Sequence, residues 1–324
     1  MGQGAKAQTG RSLNGGASLE ETKRPSILEG YMNASKETKY FYLFVFPWIV
    51  GFLAFSLYPI LTSLYYSFTD YNVVNPAKFV GLKNYKDMIS DELFWKSVKA
   101  TLYYALVSVP VGLFLSLVFA LLLNMKVPGK RFFRVAMYLP SMISGAAMSL
   151  LWVWIFNPQI GLANYALSLV GIKGPLWLLD EHWAMPSLII MSFWSVGGGM
   201  VIFLAALQGV PASLREAATL DGANFWRRFW SITMPIISPV FLFQLIMSII
   251  GSFQVFTQSF IMTHGGPHYA TLFYVYYLYQ NAFVNFNLGY ASAMAWLLLI
   301  VIMLLTYVIM RTSNRFIYYE GGRK

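Results

Sequence analysis

Cysteine is absent from the 324 residues, and charge is scarce: Asp, Glu, Lys and Arg make up 11% of the chain against 57% hydrophobic residues. Without cysteine there is no disulfide framework, no thiol nucleophile and no cysteine metal site. With so few charged residues the polar surface is too small to keep a globule of this length in water, so the chain reads as a membrane protein. A G-x-x-x-x-G-K-[ST] phosphate loop is missing as well, so nothing in the chain binds a nucleotide in that way. Gly197, Gly198 and Gly199 form a triplet, but it lies inside an apolar run with no lysine, where it reads as close helix packing or a helix break.

What is present is a series of apolar runs. Six are long enough to cross a bilayer as helices, which takes about 20 residues: 41–66, 100–123, 135–156, 187–210, 236–262 and 290–310. None contains Asp, Glu, Lys, Arg or His. A proton- or sodium-driven carrier places ionisable groups inside the membrane, and a zinc-dependent intramembrane protease needs a histidine cluster there, so both classes are disfavoured. His182, His264 and His268 all fall in loops, and no span supplies a base to activate an intramembrane serine. Two shorter runs, 161–172 and 271–283, are below spanning length and predict interfacial or re-entrant helices.

Charge orients the spans. Residues 1–40, 124–134, 211–235 and 311–324 fall on one side and hold 17 of the 23 Lys and Arg. By the positive-inside rule that side is cytoplasmic, and the formal net charge of +10 is an orientation signal that needs no nucleic acid. The expected organisation is a cytoplasmic tail over 1–40, disordered until about Pro25, an all-α six-span membrane domain over 41–312, and a cytoplasmic tail over 313–324.

The polar island at 211–235 is the largest cytoplasmic loop between spans. Ser213 and Glu216 fit a capping box, predicting a helix from about Leu214 to Leu220. Asp221 and Gly222 predict a turn in which glycine takes the left-handed conformation. Residues 223–235 then predict a second helix, with Phe225, Phe229 and Ile232 on one stripe and Arg227 and Arg228 off it.

This island resembles the EAA loop of ABC importer permeases, E-A-A-x3-G-x9-I-x-L-P, carried by Glu216, Ala217, Ala218, Gly222, Ile232 and Pro235, with Met234 in place of the usual leucine. The segments "YSFTDYN", "FVGLKNY", "RFFRVAMYLP", "THGGP" and "YASAMAW" extend the resemblance to the maltose-transporter-like carbohydrate permeases over nearly the whole chain after residue 40. The resemblance implies a type I importer transmembrane domain in the inner membrane of a bacterium or archaeon, forming a translocation pathway for a sugar or oligosaccharide. It implies a second, distinct permease subunit, an extracytoplasmic solute-binding protein and two ATPase subunits that use ATP and Mg, with no cofactor on this chain. Glu216, Ala217, Ala218, Leu220, Asp221 and Gly222 are then the coupling residues. Glycerol phosphate or another polyol derivative is the alternative cargo, and a membrane enzyme or scaffold a more distant reading.

For the pathway, a sugar needs neutral hydrogen-bonding groups and aromatic faces inside the membrane. Gln244, Ser248 and Ser252 recur every four residues along the fifth run, with Gly251 and Gln258 on the same general face, and Trp194, Ser195 and Gly198 lie in the fourth. Each polar residue could equally glue helices together, and Trp194 could simply pack.

Overall fold

The computed structural model describes residues 27–125 and 128–313, with side chains from residue 38 onward. Apart from 27–40 and Ser313, which are helical, the tails expected at the two ends lie outside the described residues. Two units are distinguished, residues 1–60 and 61–324.

Helix α1 (Ile27–Phe52) and a π-helical turn (Leu53–Leu57) lead into α2 (Tyr58–Ser67). Proline cannot donate the amide bond of a regular helix, and Pro59 follows the widened turn that absorbs this. Phe44 and Phe55 stand exposed, as suits side chains whose solvent is hydrocarbon.

In the larger unit a two-stranded antiparallel hairpin, β1 (Thr69–Asp70) with β2 (Lys78–Phe79), pairs Thr69 with Phe79. It is followed by α3 (Lys83–Ser90) and α4 (Glu92–Asn124). At about 1.5 Å per residue α4 is about 50 Å long, well beyond the roughly 30 Å of a hydrocarbon core. It therefore threads both apolar clusters of the molecule. One gathers Phe94, Trp152, Phe156, Phe273, Tyr274 and Met294; the other gathers Leu113, Leu117, Phe203, Leu204, Phe229 and Ile237.

Among the described residues, four helical stretches are long and apolar enough to span a membrane: 38–67, 92–124, 225–253 and 288–313. Two bent pairs raise the number to six. The first pair is α5 (Lys130–Tyr138), extended by a 3-10 turn (Leu139–Met142), and α6 (Gly145–Ile155), which meet at 100°. The run 135–156 is thus no straight crossing. Pro140 tightens the turn, and Ser144, in an extended conformation, caps α6 by accepting the Ala147 amide at 3.4 Å. After α7 (Leu162–Leu169), the second pair is α8 (Glu181–Phe193) and α9 (Gly197–Gln208), bent by 42°.

The predicted fifth span also changes. Past α10 (Ala212–Leu220), α11 (Phe225–Arg228) continues through a π-helical turn (Phe229–Thr233) into α12 (Met234–Phe253), where the helix stops, short of residue 262. A separate π-helical turn covers Ser259–Thr263. The other short predicted run carries α13 (Tyr274–Tyr279), continued by a π-helical turn (Gln280–Val284), and α14 (Leu288–Ser313) is the last described element.

A polar knot ties the N-terminal end of α4 to α13 and α14. The Asp91 carboxylate accepts from the hydroxyls of Tyr277 at 2.5 Å and Tyr290 at 2.6 Å, and from the Leu93 amide at 2.9 Å. Burial pushes the Asp91 carboxyl up, but the hydrogen bonds from Tyr277, Tyr290 and the amides of Phe94 and Leu93 outweigh it and hold it below the ordinary carboxylate value. A lowered folded-state pKa contributes stability that is present above the unfolded value and lost as pH falls through the folded one. Asp91→Asn should therefore lower the thermal midpoint in detergent at pH 7, through a stability loss on the order of 1 kcal/mol, small because the group is only partly buried. The deficit against wild type should shrink as pH falls below the ordinary carboxylate value; a constant deficit across that window contradicts the account.

Candidate functional site

An open cavity of about 410 Å³ lies where the two apolar clusters meet, lined by α4, the α8–α9 kink and α12. Ser195, Gln244, Ser248 and Ser252 line it, together with Gly251 and Gln258. Trp194 and Gly198 do not. Trp194 is half exposed and meets Trp152 edge to face, with ring centroids 5.6 Å apart, while Gly198 faces the Ser141 side chain.

The sequence reading missed a whole wall. Tyr104, Ser108, Gly112 and Ser116 of α4 line the cavity, and Ser192 joins Ser195 at the kink. The signal was there in the i, i+4, i+8 spacing of Ser108, Gly112 and Ser116, a small and polar face in an apolar helix.

Hydrogen bonding separates structural from available groups. The Ser116 hydroxyl donates to the Val196 carbonyl at 3.1 Å and so joins α4 to the kink. Ser252 donates to Ile249 and Ser192 to Ile189, each within its own helix. Among the described residues, the side chains of Ser195, Gln244 and Ser248 make no hydrogen bond within the chain. A residue whose purpose was to glue helices would have a partner on the neighbouring helix. No Lys, Arg, His, Asp or Glu lines the cavity, so it offers neutral donors and acceptors beside the Tyr104 and Phe193 rings.

The second feature is the hairpin at 211–235. The expected capping box does not form: α10 begins at Ala212, which places Ser213 inside it, and no side chain caps its start. Pro211, with φ −54° and ψ 130°, sets the extended residue before the helix, so the chain enters helix two positions earlier than the serine would dictate. The far end forms as expected. Gly222 has φ +75°, and the Ala223 amide donates to Ala218 at 2.9 Å and the Gly222 amide to Thr219 at 3.1 Å, the paired closure of a Schellman turn. The Asp221 amide bonds the Ala217 carbonyl.

Asn224 then accepts the Arg227 amide at 2.9 Å and starts α11. The second hairpin helix is therefore no separate element but the first turns of the fifth span. Glu216 faces a cavity between α10 and α11, and Leu220 at the tip is 89% exposed. None of Arg215, Glu216, Asp221, Arg227 and Arg228 forms an ion pair among the described residues. The loop at 263–271 turns through His264 at φ +49° and Gly265 at φ +80°, with Thr271 Oγ1 2.7 Å from the Gly266 carbonyl. No metal-binding group of His, Asp and Glu occurs among the described residues.

Three comparisons bear on these features. Residues 108–317 match the family described as "Binding-protein-dependent transport system inner membrane component". The chain is 42% identical to the probable ABC transporter permease protein YesP of Bacillus subtilis (strain 168), over 86% of this chain and 92% of that one. It is 34% identical to the sn-glycerol-3-phosphate transport system permease protein UgpA of Agrobacterium fabrum, over 86% and 96%. It is 33% identical to the arabinooligosaccharides transport system permease protein AraP of Bacillus subtilis, over 85% and 88%. In fold it is similar to a chain of a bacterial ABC transporter involved in the import of the acidic polysaccharide alginate, with a TM-score of 0.77 at 22% identity, covering 88% of this chain and 99% of that chain.

The glycine triplet gives a sharp test of the cavity wall. A Cβ on Gly199 would stand 2.9 Å from both Gln244 Nε2 and Ser116 Oγ, whereas one on Gly198 would come no closer than 3.8 Å to Ser141. Replacing helical glycine by alanine gains up to about 1 kcal/mol, but overpacking costs about 1–3 kcal/mol. Gly198→Ala should thus hold or raise the thermal midpoint and Gly199→Ala should lower it; the reverse order would contradict this geometry.

Proposed function

The chain belongs to the binding-protein-dependent transport system inner membrane components, and on that premise we propose how its two sites divide the work of import. It is a multi-pass membrane permease subunit of an ATP-binding-cassette importer of the carbohydrate class, and is not itself an enzyme.

In our reading the cavity at the junction of the two apolar clusters is this subunit's share of the translocation pathway. Ser195, Gln244, Ser248 and Ser252, joined by Ser108 and Tyr104, present hydrogen-bonding groups to a hydroxyl-rich cargo. The observation that carries this is the set of neutral side chains, Ser195, Gln244 and Ser248, which face the cavity without a hydrogen-bond partner among the described residues. A sugar or oligosaccharide fits that surface. Glycerol phosphate, the alternative, would bring a charge to a wall on which no Lys, Arg or His stands, although one relative is a permease of a glycerol-phosphate system.

We place the hairpin and both termini in the cytoplasm because the basic residues gather there. Glu216, Ala217, Ala218, Leu220, Asp221 and Gly222 dock on an ATPase subunit. Leu220 supplies an exposed apolar anchor, and the Glu216 carboxylate, which forms no ion pair among the described residues, suits a basic surface. The full assembly pairs this chain with a distinct second permease and two ATPase subunits, where ATP and Mg are used, and a solute-binding protein delivers cargo from outside.

Uptake by the complete transporter in vesicles tests both assignments. Glu216→Lys should abolish ATP-dependent uptake while the chain still inserts. Ser248→Leu with Ser252→Leu should cut uptake at least about tenfold, as expected when buried hydroxyls lose their partners, with the ATPase subunits still bound. Undiminished uptake in either variant would overturn the corresponding role.

A further inference from the structure

Two cavities adjoin the start of the fifth span and share three walls, Leu121, Phe225 and Phe229. One, of about 470 Å³, is lined by hydrocarbon and aromatic side chains, among them Val118 and Phe241, with Trp226 and Trp230 on its rim. These two tryptophans are 65% and 61% exposed and lie one turn apart on the helix. The other, of about 400 Å³, opens under α10 and presents Arg215, Arg228, Thr219 and Asn124, together with the Glu216 carboxylate. Arg228 donates to the Thr219 hydroxyl, and neither arginine meets a carboxylate among the described residues.

The polarity of the pair runs in one order, from an apolar slot, past indoles, to a recess where two arginines outnumber the one carboxylate, Glu216, and leave a net positive charge. Indoles mark the headgroup level of a bilayer, and lysine and arginine just beyond it attract anionic headgroups. A second permease subunit would match the apolar slot but has no need of the recess, whereas a phospholipid matches both. We propose that the two cavities hold one anionic phospholipid, an acyl chain in the slot beside Val118 and the phosphate on Arg228 and Arg215. The lipid sits at the joint between α10 and the fifth span, so membrane composition sets how firmly the coupling helix is braced. The proposal rests on the cytoplasmic placement of the hairpin but not on the cargo.

Native mass spectrometry of the complete transporter, titrated with phosphatidylglycerol or phosphatidylcholine, reads lipid binding independently of uptake. Wild type should retain phosphatidylglycerol on the order of tenfold more tightly than phosphatidylcholine. Arg215→Gln with Arg228→Gln should abolish that preference. Val118→Trp, which fills the slot and leaves both arginines, should weaken retention of both lipids. Arg227→Gln, on the same turn but outside both cavities, should change nothing, and each variant should still co-purify with its partner subunits. Equal retention of the two lipids by wild type, an equal effect of Arg227→Gln, or cross-linking of Trp230→Cys to the second permease would each overturn the proposal.

Discussion

One hydroxyl, that of Ser116, reaches across 80 positions of sequence to the Val196 carbonyl, and the arrangement of the cavity depends on that contact. At Val196 the chain passes from α8 to α9 through a tight turn, with Ser195 bonded back to Ser192 and Val196 to Phe193. The Val196 carbonyl already takes the Met200 amide, and Ser116 fills its second lone pair. In hydrocarbon, irregular backbone is tolerated only where neighbouring groups or a cavity satisfy it. The kink turns Ser192 and Ser195 toward the space that Ser108 and Gly112 of α4 open opposite them. Gly199 keeps the contact close, since any side chain there would meet both Ser116 and Gln244.

The joint below is mechanical in a different way. A Schellman closure at Gly222 ends α10 cleanly, and a single cap at Asn224 starts a helix that reaches Phe253 without interruption other than one widened turn. That turn precedes Pro235, whose missing amide would otherwise break the ladder. A push on α10 therefore acts on the root of the helix that carries Gln244, Ser248 and Ser252. The polar stripe and the second arm of the hairpin lie on one helix, with Pro239 between them, and that continuity is what the proposed transmission of another subunit's motion would use.

Much of this was legible in the residues and some was not. Charge-free apolar runs marked out the helices and bent helix pairs that are apolar enough to span a membrane, because the cost of burying an ion in hydrocarbon writes itself into composition. Gly222 announced its turn because few other residues adopt a positive φ cheaply. The 100° bend at Pro140 was hidden, since hydropathy records what a run touches and not the direction of its backbone. Ser213 misled because a capping box is local, while the start of α10 is set by Pro211 two residues earlier. The α4 wall was passed over for a related reason: serines spaced by four mark a face, but only the fold shows that Ser116 is spent on α9 while Ser248 remains free.

The absence of cysteine makes the decisive experiment simple, because a single introduced thiol is the only one in the chain. Ser248→Cys, in a transporter whose partner subunits also lack cysteine, can be probed with a membrane-impermeant thiol reagent applied to either face of sealed vesicles. If the cavity is an alternating-access pathway driven from the hairpin, the thiol reacts from one face without nucleotide and from the opposite face with a non-hydrolysable ATP analogue. Adding Gly222→Asp should remove the dependence on nucleotide. Reaction from the same face in both conditions would contradict the account.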